Sequence, residues 1–136
     1  MIIIAVDLGK ARTGLAISDK TGFLASPLSM IEEKSPAKLL EKVALAVKEN
    51  KAELVVVGLP KNMDGTEGDS ARNAREFAQN LTELTGIKTV MQDERGTTVT
   101  AHSYLSQRDV RGKKRKAQVD IVAASIILQD YLDSHR

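Results

Sequence analysis

Apolar residues in this chain follow two spacings. Ile2-Ile3-Ile4-Ala5-Val6 and Leu54-Val55-Val56-Val57 run without a polar interruption, the first stopping at Asp7-Leu8-Gly9 and the second at Gly58. Short runs this rich in β-branched residues predict strands buried on both faces, which need covering layers above and below. Between and after them, apolar residues recur every three or four positions. Ser35-Pro36 opens one such segment, a capping hydroxyl followed by proline at the first helical position, and Leu39, Leu40, Val43, Ala44 and Val47 then share a face. Asp69 or Ser70 caps a second, with Ala71, Ala74, Phe77, Ala78, Leu81 and Leu84 inward and Gly86 at its end. A third, from about Ala117 to Leu132, is apolar nearly all round and so predicts a buried helix, with Asp120 in its first turn.

The remaining segments complete the layout. Lys10 to Gly14 is a glycine-flanked turn and Leu15-Ala16-Ile17-Ser18 resumes a strand, predicting an antiparallel hairpin with the first. Asp19-Lys20-Thr21-Gly22 turns again into a third strand, Phe23 to Ile31, which Pro27 confines to the sheet edge. A helix between two doubly buried strands implies a right-handed crossover and parallel pairing of the strands that start at Ile2 and Leu54. Ile87 to Met91 makes a fifth strand, and Thr97 or Thr98 can cap a short helix through Ala101, Tyr104 and Leu105. Three strands in a meander, then helices after the third, fourth and fifth, give an α/β, RNase H-like arrangement: a five-stranded mixed sheet of order 3-2-1-4-5 flanked by helices.

Composition narrows the classes open to it. A chain of 136 residues without linker or repeat is read as one domain, 1–136. It has no cysteine, which removes disulfides, thiolate zinc sites and cysteine nucleophiles. No stretch is long and apolar enough to span a bilayer and the opening strand lacks the features of a signal segment, so a cytoplasmic protein without a membrane partner is expected. Net charge is only +2, but Arg108, Arg111, Lys113, Lys114, Arg115 and Lys116 crowd one stretch with a single acidic residue, Asp109. With two Tyr, two Phe and no Trp, stacking of successive bases is excluded as the main mode of binding, and any nucleic acid is held by its phosphates.

Candidate chemistry gathers where strands end. The loop from Gly58 to Gly68 lacks the Gly-Lys-Ser/Thr ending of a P-loop, which argues against a Walker-type nucleotide site. His102 has no second ligand at metal spacing and reads as a helix surface residue. In the 3-2-1-4-5 layout, Asp7 after the first strand, Glu94 after the fifth and Asp120 on the last helix can face one open edge. Three carboxylates repel, so the cluster implies divalent cations, and oxygen ligands alone point to magnesium or manganese. Glu94's strand is two places from the first, roughly 10 Å at the usual spacing, so its loop must lean back. Asp64 is the alternative third ligand, although Asp64-Gly65 reads more readily as a turn.

Four separated segments carry a family resemblance: Asp7-x-Gly9 with Gly14; Gly58-Leu59-Pro60 with Asn62-Met63-Asp64-Gly65; Asp93-Glu94-Arg95 with Thr97-Thr98; and Lys113 to Lys116 leading to Val119-Asp120 with Ala123-Ala124. In this order they resemble the bacterial YqgF family of RNase H-like proteins, described as Holliday junction resolvases or pre-16S ribosomal RNA nucleases. The resemblance implies a metal-dependent nuclease with its catalytic and metal-binding triad on Asp7, Glu94 and Asp120. With two ions, one would activate the attacking water and the other stabilise the leaving oxygen. Lys10, Arg12 and the Arg108 to Lys116 segment would hold phosphates of structured RNA or branched DNA, the protein acting as monomer or homodimer. Two rivals stay open. Sugar kinase and heat-shock ATPase lobes share the Asp-x-Gly hairpin, but need two lobes to enclose a nucleotide. A non-catalytic RNA-binding or ribosome-assembly factor could retain the fold without the chemistry.

Overall fold

A computed structural model of the chain describes residues 1–62, 64–94 and 112–135, with side chains from 122 onward in the last of these. The elements are β1 (Ile3–Asp7), β2 (Arg12–Ser18), β3 (Ala25–Glu32), α1 (Pro36–Glu49), β4 (Leu54–Leu59), α2 (Asp69–Thr85), β5 (Thr89–Asp93) and α3 (Gly112–Ser134). The sheet has the order β3-β2-β1-β4-β5, antiparallel on the β2 and β3 side and parallel from β1 to β5, as expected from the sequence. β1 is therefore central, and the carboxyl ends of β1, β4 and β5 share one edge.

Strand alternation sorts the core into two clusters. Ile4, Val6, Leu15, Val55, Val57 and Leu59 pack under α1 and α2, meeting Val43, Val47, Ala74 and Leu81. Ile3, Ala5, Ala16, Leu54 and Val56 pack under α3, meeting Ala124, Ile127, Leu128 and Leu132. Ser35 caps α1 through its hydroxyl, which accepts from the Lys38 amide, and Gly86 ends α2 in the left-handed conformation at φ 73°.

Several boundaries differ from expectation. β3 starts at Ala25 because Asp19 holds the preceding turn: its Oδ1 accepts from the Phe23 amide at 2.8 Å and its own amide donates to the Leu24 carbonyl at 3.1 Å. Phe23 and Leu24 are consequently exposed. The N-cap of α2 is Gly68 without a side-chain bond, Asp69 and Ser70 lie inside the helix, and Leu84 faces outward. β5 runs to Asp93 since its register pairs Gly58 with Gln92 and Leu59 with Asp93, leaving Glu94 as the first residue past the strand.

The largest correction concerns α3, which starts at Gly112 and not near Ala117. Lys, Arg, Ala and Gln cost a helix little and no Gly or Pro interrupts Lys113 to Ser134, so the basic residues Lys113 to Lys116 belong to its first turns. Asp120 is then well inside the helix and not in its first turn. Nor is the helix buried all round: Asp130 and Asp133 are exposed on the flank away from the sheet. The expected short helix through Ala101 and Leu105, with His102, lies outside the described residues.

Candidate active site

Asp7 is the last residue of β1, and the alternation that turns Ile3 and Ala5 toward α3 turns Asp7 the same way. Its partner across the β1–β2 ladder is Gly14, which has no side chain to crowd it. Glu94 follows β5, and its amide extends the ladder by donating to the Leu59 carbonyl at 3.2 Å. β4 lies between these two residues. Its position on their shared face, following Leu54 and Val56, is Gly58.

Gly58 explains how Glu94 reaches Asp7. A Cβ built on Gly58 would collide with Oε2 of Glu94 and stand 3.1 Å from its Cδ and 2.8 Å from Cδ1 of Ile127 on α3. The Glu94 carboxyl thus lies across the glycine, in space that any other residue would fill, and makes a side-chain hydrogen bond with Asp7. The loop leans back as the strand spacing requires.

The pair is electrostatically loaded. Burial pushes the Glu94 carboxyl above the usual carboxylate range, the charge of Asp93 adds to this, and the hydrogen bond with Asp7 offsets part of it. Among the described residues, Oε2 of Glu94 is buried without a hydrogen-bond partner. An orphaned carboxylate oxygen over a glycine cradle, next to a second carboxylate, suits a hard divalent cation, whose charge would remove both the repulsion and the unpaired oxygen.

The other expected site residues separate into groups. Asp64 is not brought to the pair: its Oδ1 accepts from the Thr66 amide at 2.9 Å and hydroxyl at 2.7 Å, an exposed turn role. Lys10 and Arg12 belong to the β1–β2 hairpin at the site's edge, with Arg12 paired in register with Glu32. Asp120 lies on α3, seven residues before Ile127; its side chain, like those of Lys113, Lys114, Arg115 and Lys116, is outside the described residues, as are Arg108 and Arg111 altogether. Among the described residues no group of three His, Cys, Asp or Glu stands close enough to hold a metal. Gly58 carries no assigned role in the sequence reading. Its signal is there to see, a glycine closing a β-branched run where strand glycines often mark a close approach.

This sheet order, with two carboxylates joined over the edge of its central strands, defines an RNase H-like domain of the nuclease type. A family model described as "RuvX: Holliday junction resolvase" matches residues 1–134, and the chain belongs to that family, the YqgF family of the sequence resemblance. It is a family of nucleases, hydrolases acting on phosphodiester bonds. Among curated relatives, a protein of Shouchella clausii named "Putative pre-16S rRNA nuclease" is 44% identical over 135 residues, covering 98% of this chain and 95% of that protein. A Clostridium botulinum protein of the same name is 44% identical over 133 residues, covering 98% and 97%. Of solved structures, Thermus thermophilus RuvC in complex with a Holliday junction superposes with a TM-score of 0.64 at 12% identity over 98% of this chain and 94% of that one. The Fowlpox virus resolvase with junction DNA gives 0.61 at 16% identity, over 98% of both chains. At such identities the structural likeness establishes the fold alone. Among the described residues no helix is long and apolar enough to cross a membrane.

Proposed function

We propose that this protein is a metal-dependent nuclease that cuts precursor 16S ribosomal RNA in the cytoplasm, with Asp7, Glu94 and Asp120 as its catalytic and metal-holding carboxylates. The observation that carries the reading is the seating of Glu94 over Gly58 against Asp7, with one carboxylate oxygen buried and, among the described residues, unpaired. An oxygen-only donor set favours magnesium or manganese, held by these residues; when bound, such ions supply an activated water and stabilise the leaving oxygen. The chain's own contribution is position. β1 register fixes Asp7, the Leu59 carbonyl anchors the Glu94 backbone, and the absent side chain at Gly58 keeps the two acids together. Asp120 as the third member is supported by the direction of α3. Leu132 packs with Ile3 and Leu54 at the far edge while Ile127 meets Gly58, so the helix axis rises toward the acids, by about 10 Å from 127 to 120.

Lys10, Arg12, Arg108, Arg111 and Lys113 to Lys116 are read as phosphate-binding residues. Neutralising Lys113, Lys114, Arg115 and Lys116 should reduce the slope of log K against log salt by roughly 0.7 to 0.9 for each phosphate no longer neutralised, equally across sequences. An unchanged slope in a folded variant would return them to a solvated face. Precursor rRNA is preferred to junction DNA because the relatives named for rRNA are 44% identical, against 12–16% for the resolvases solved with junctions. The test is cleavage of precursor rRNA, a four-way DNA junction and linear duplexes, side by side with magnesium or manganese. Selective cutting of the rRNA is expected, abolished in Asp7→Asn. Junction cutting alone would move the substrate to DNA, equal cutting by the variant would take the catalytic site away from Asp7, and no cutting by the parent would leave a non-catalytic RNA-binding factor.

A further inference from the structure

At the same sheet edge, but on the α1 and α2 side, a cavity of about 610 Å³ opens directly beyond Asp7. Leu8 and Gly9, the next residues of the chain, form its near wall and Lys10 its rim. The far wall is one stripe of α2, Asn73, Glu76, Phe77 and Asn80, at the i, i+3, i+4, i+7 spacing of a single helical face. Polar residues on this stripe are not needed by the core, because the buried stripe of α2 is the adjacent Ala71, Ala74, Ala78 and Leu81. Phe77 is half-buried, and the other described aromatic residues, Phe23 and Tyr131, line a different cavity beside Ile3 and Leu54 at the opposite edge.

We propose that this cavity receives one unstacked nucleobase of the substrate strand, next to the phosphate held at Asp7 and Glu94. The subsite rests on the nuclease reading and adds base recognition to it. Size and chemistry agree. The volume lies in the usual range for small-ligand sites, and its lining sets apolar walls from Leu8, Leu39, Leu40 and Phe77 beside polar and charged groups that include Glu33 and Lys34. Phe77 offers a ring face to stack on, the two Asn carboxamides offer paired donors and acceptors for a base edge, and Glu76 accepts from an exocyclic amine. Lys10 lines the cavity three residues after Asp7, where it can hold the linking phosphate. Three residues of backbone span at most about 11 Å, so cavity and cut are neighbours on one strand. A chain too poor in aromatic residues to stack many bases can still stack one.

The probes are the four nucleoside 5′-monophosphates and ribose 5-phosphate, which keeps sugar and phosphate without a base, titrated into the full chain and followed by NMR. Nucleotides should shift the Asn73 and Asn80 side-chain amides and the Phe77 ring, with at least about 5-fold preference over ribose 5-phosphate. The double variant Asn73→Ala, Asn80→Ala, both exposed sites, should abolish that preference. Phe77→Leu, which keeps apolar volume for the core, should weaken nucleotide binding about 5-fold or more. In cleavage assays the double variant should raise KM and blur the cut position. Equal shifts by ribose 5-phosphate, or nucleotide binding indifferent to all three side chains, would overturn the subsite. Should the parent cut RNA yet bind no base here, the subsite falls and the nuclease stands. Base binding without any cutting would remove the nuclease reading and leave a nucleotide site.

Discussion

The two faces of this sheet are built from different residues for different ends. Under α1 and α2 the strands present Ile4, Val6, Leu15, Val55, Val57 and Leu59, long or branched side chains that fill the space to the helices. Under α3 they present Ile3 and Leu54 at the far edge, then Ala5, Ala16 and Val56 and, toward the open edge, Gly14 and Gly58. The first face removes apolar area from water by filling that space. The second gives up bulk at its edge, and the space is taken by the carboxyl groups of Glu94 and Asp7. Small residues in a core are thus not always weak packing; here they make room for a costly polar contact.

Substitutions on the two faces should separate stability from activity. The largest effect is expected at the acids: Glu94→Gln or Asp7→Asn should lower kcat by roughly 100- to 1000-fold, the cost of losing one group that stabilises developing charge, with the fold intact by circular dichroism. Gly58→Ala tests the cradle itself. Its new methyl group would push Glu94 off Asp7, and kcat should fall about 100-fold, the scale on which a misplacement of about 1 Å acts. Manganese binding should weaken with it, which a general loss of packing would not require. Because the atoms it meets are the tips of the Glu94 and Ile127 side chains, the stability cost should stay near the low end of about 1–3 kcal/mol. An active Gly58→Ala enzyme would dissolve the contrast between the faces.

On the other face the order reverses. Leu81→Ala, at a fully buried position, should cost about 2–5 kcal/mol in denaturant unfolding while activity per folded molecule is unchanged. The smallest expected effect is on pH-dependent stability. Glu94 holds its proton more tightly folded than unfolded, so it destabilises the metal-free protein as pH rises from the ordinary glutamate range through the raised folded value, and the penalty is complete above that. With a chelator present, Glu94→Gln should therefore melt a few degrees above the parent at neutral pH, about 3–5 °C per kcal/mol relieved, and the gap should close in acid, where both states are protonated. A gap independent of pH would show that Glu94 is not the titrating group.

Much was legible in the chain before any coordinates. The doubly apolar runs at Ile3 and Leu54, the Ser35-Pro36 helix start and the Gly86 stop are local signals, since β-branching, capping and the freedom of glycine act within a few residues. With one crossover rule they fix the strand order, and the order alone brings Asp7 and Glu94 to one edge. Local propensity misplaced the ends: β5 and α3 extend past their apolar cores because a ladder register and a run of good helix formers outlast the hydrophobic pattern. What only the tertiary structure decided is contact across a strand. Asp7 ends β1 and Glu94 follows β5, with β4 between them, and nothing in either segment tells whether a side chain can cross it. That depends on the volume standing between them, and volume at a point is set by three strands and a helix meeting there. At that point the chain has Gly58, and the space left by its missing side chain is what lets the two acids touch.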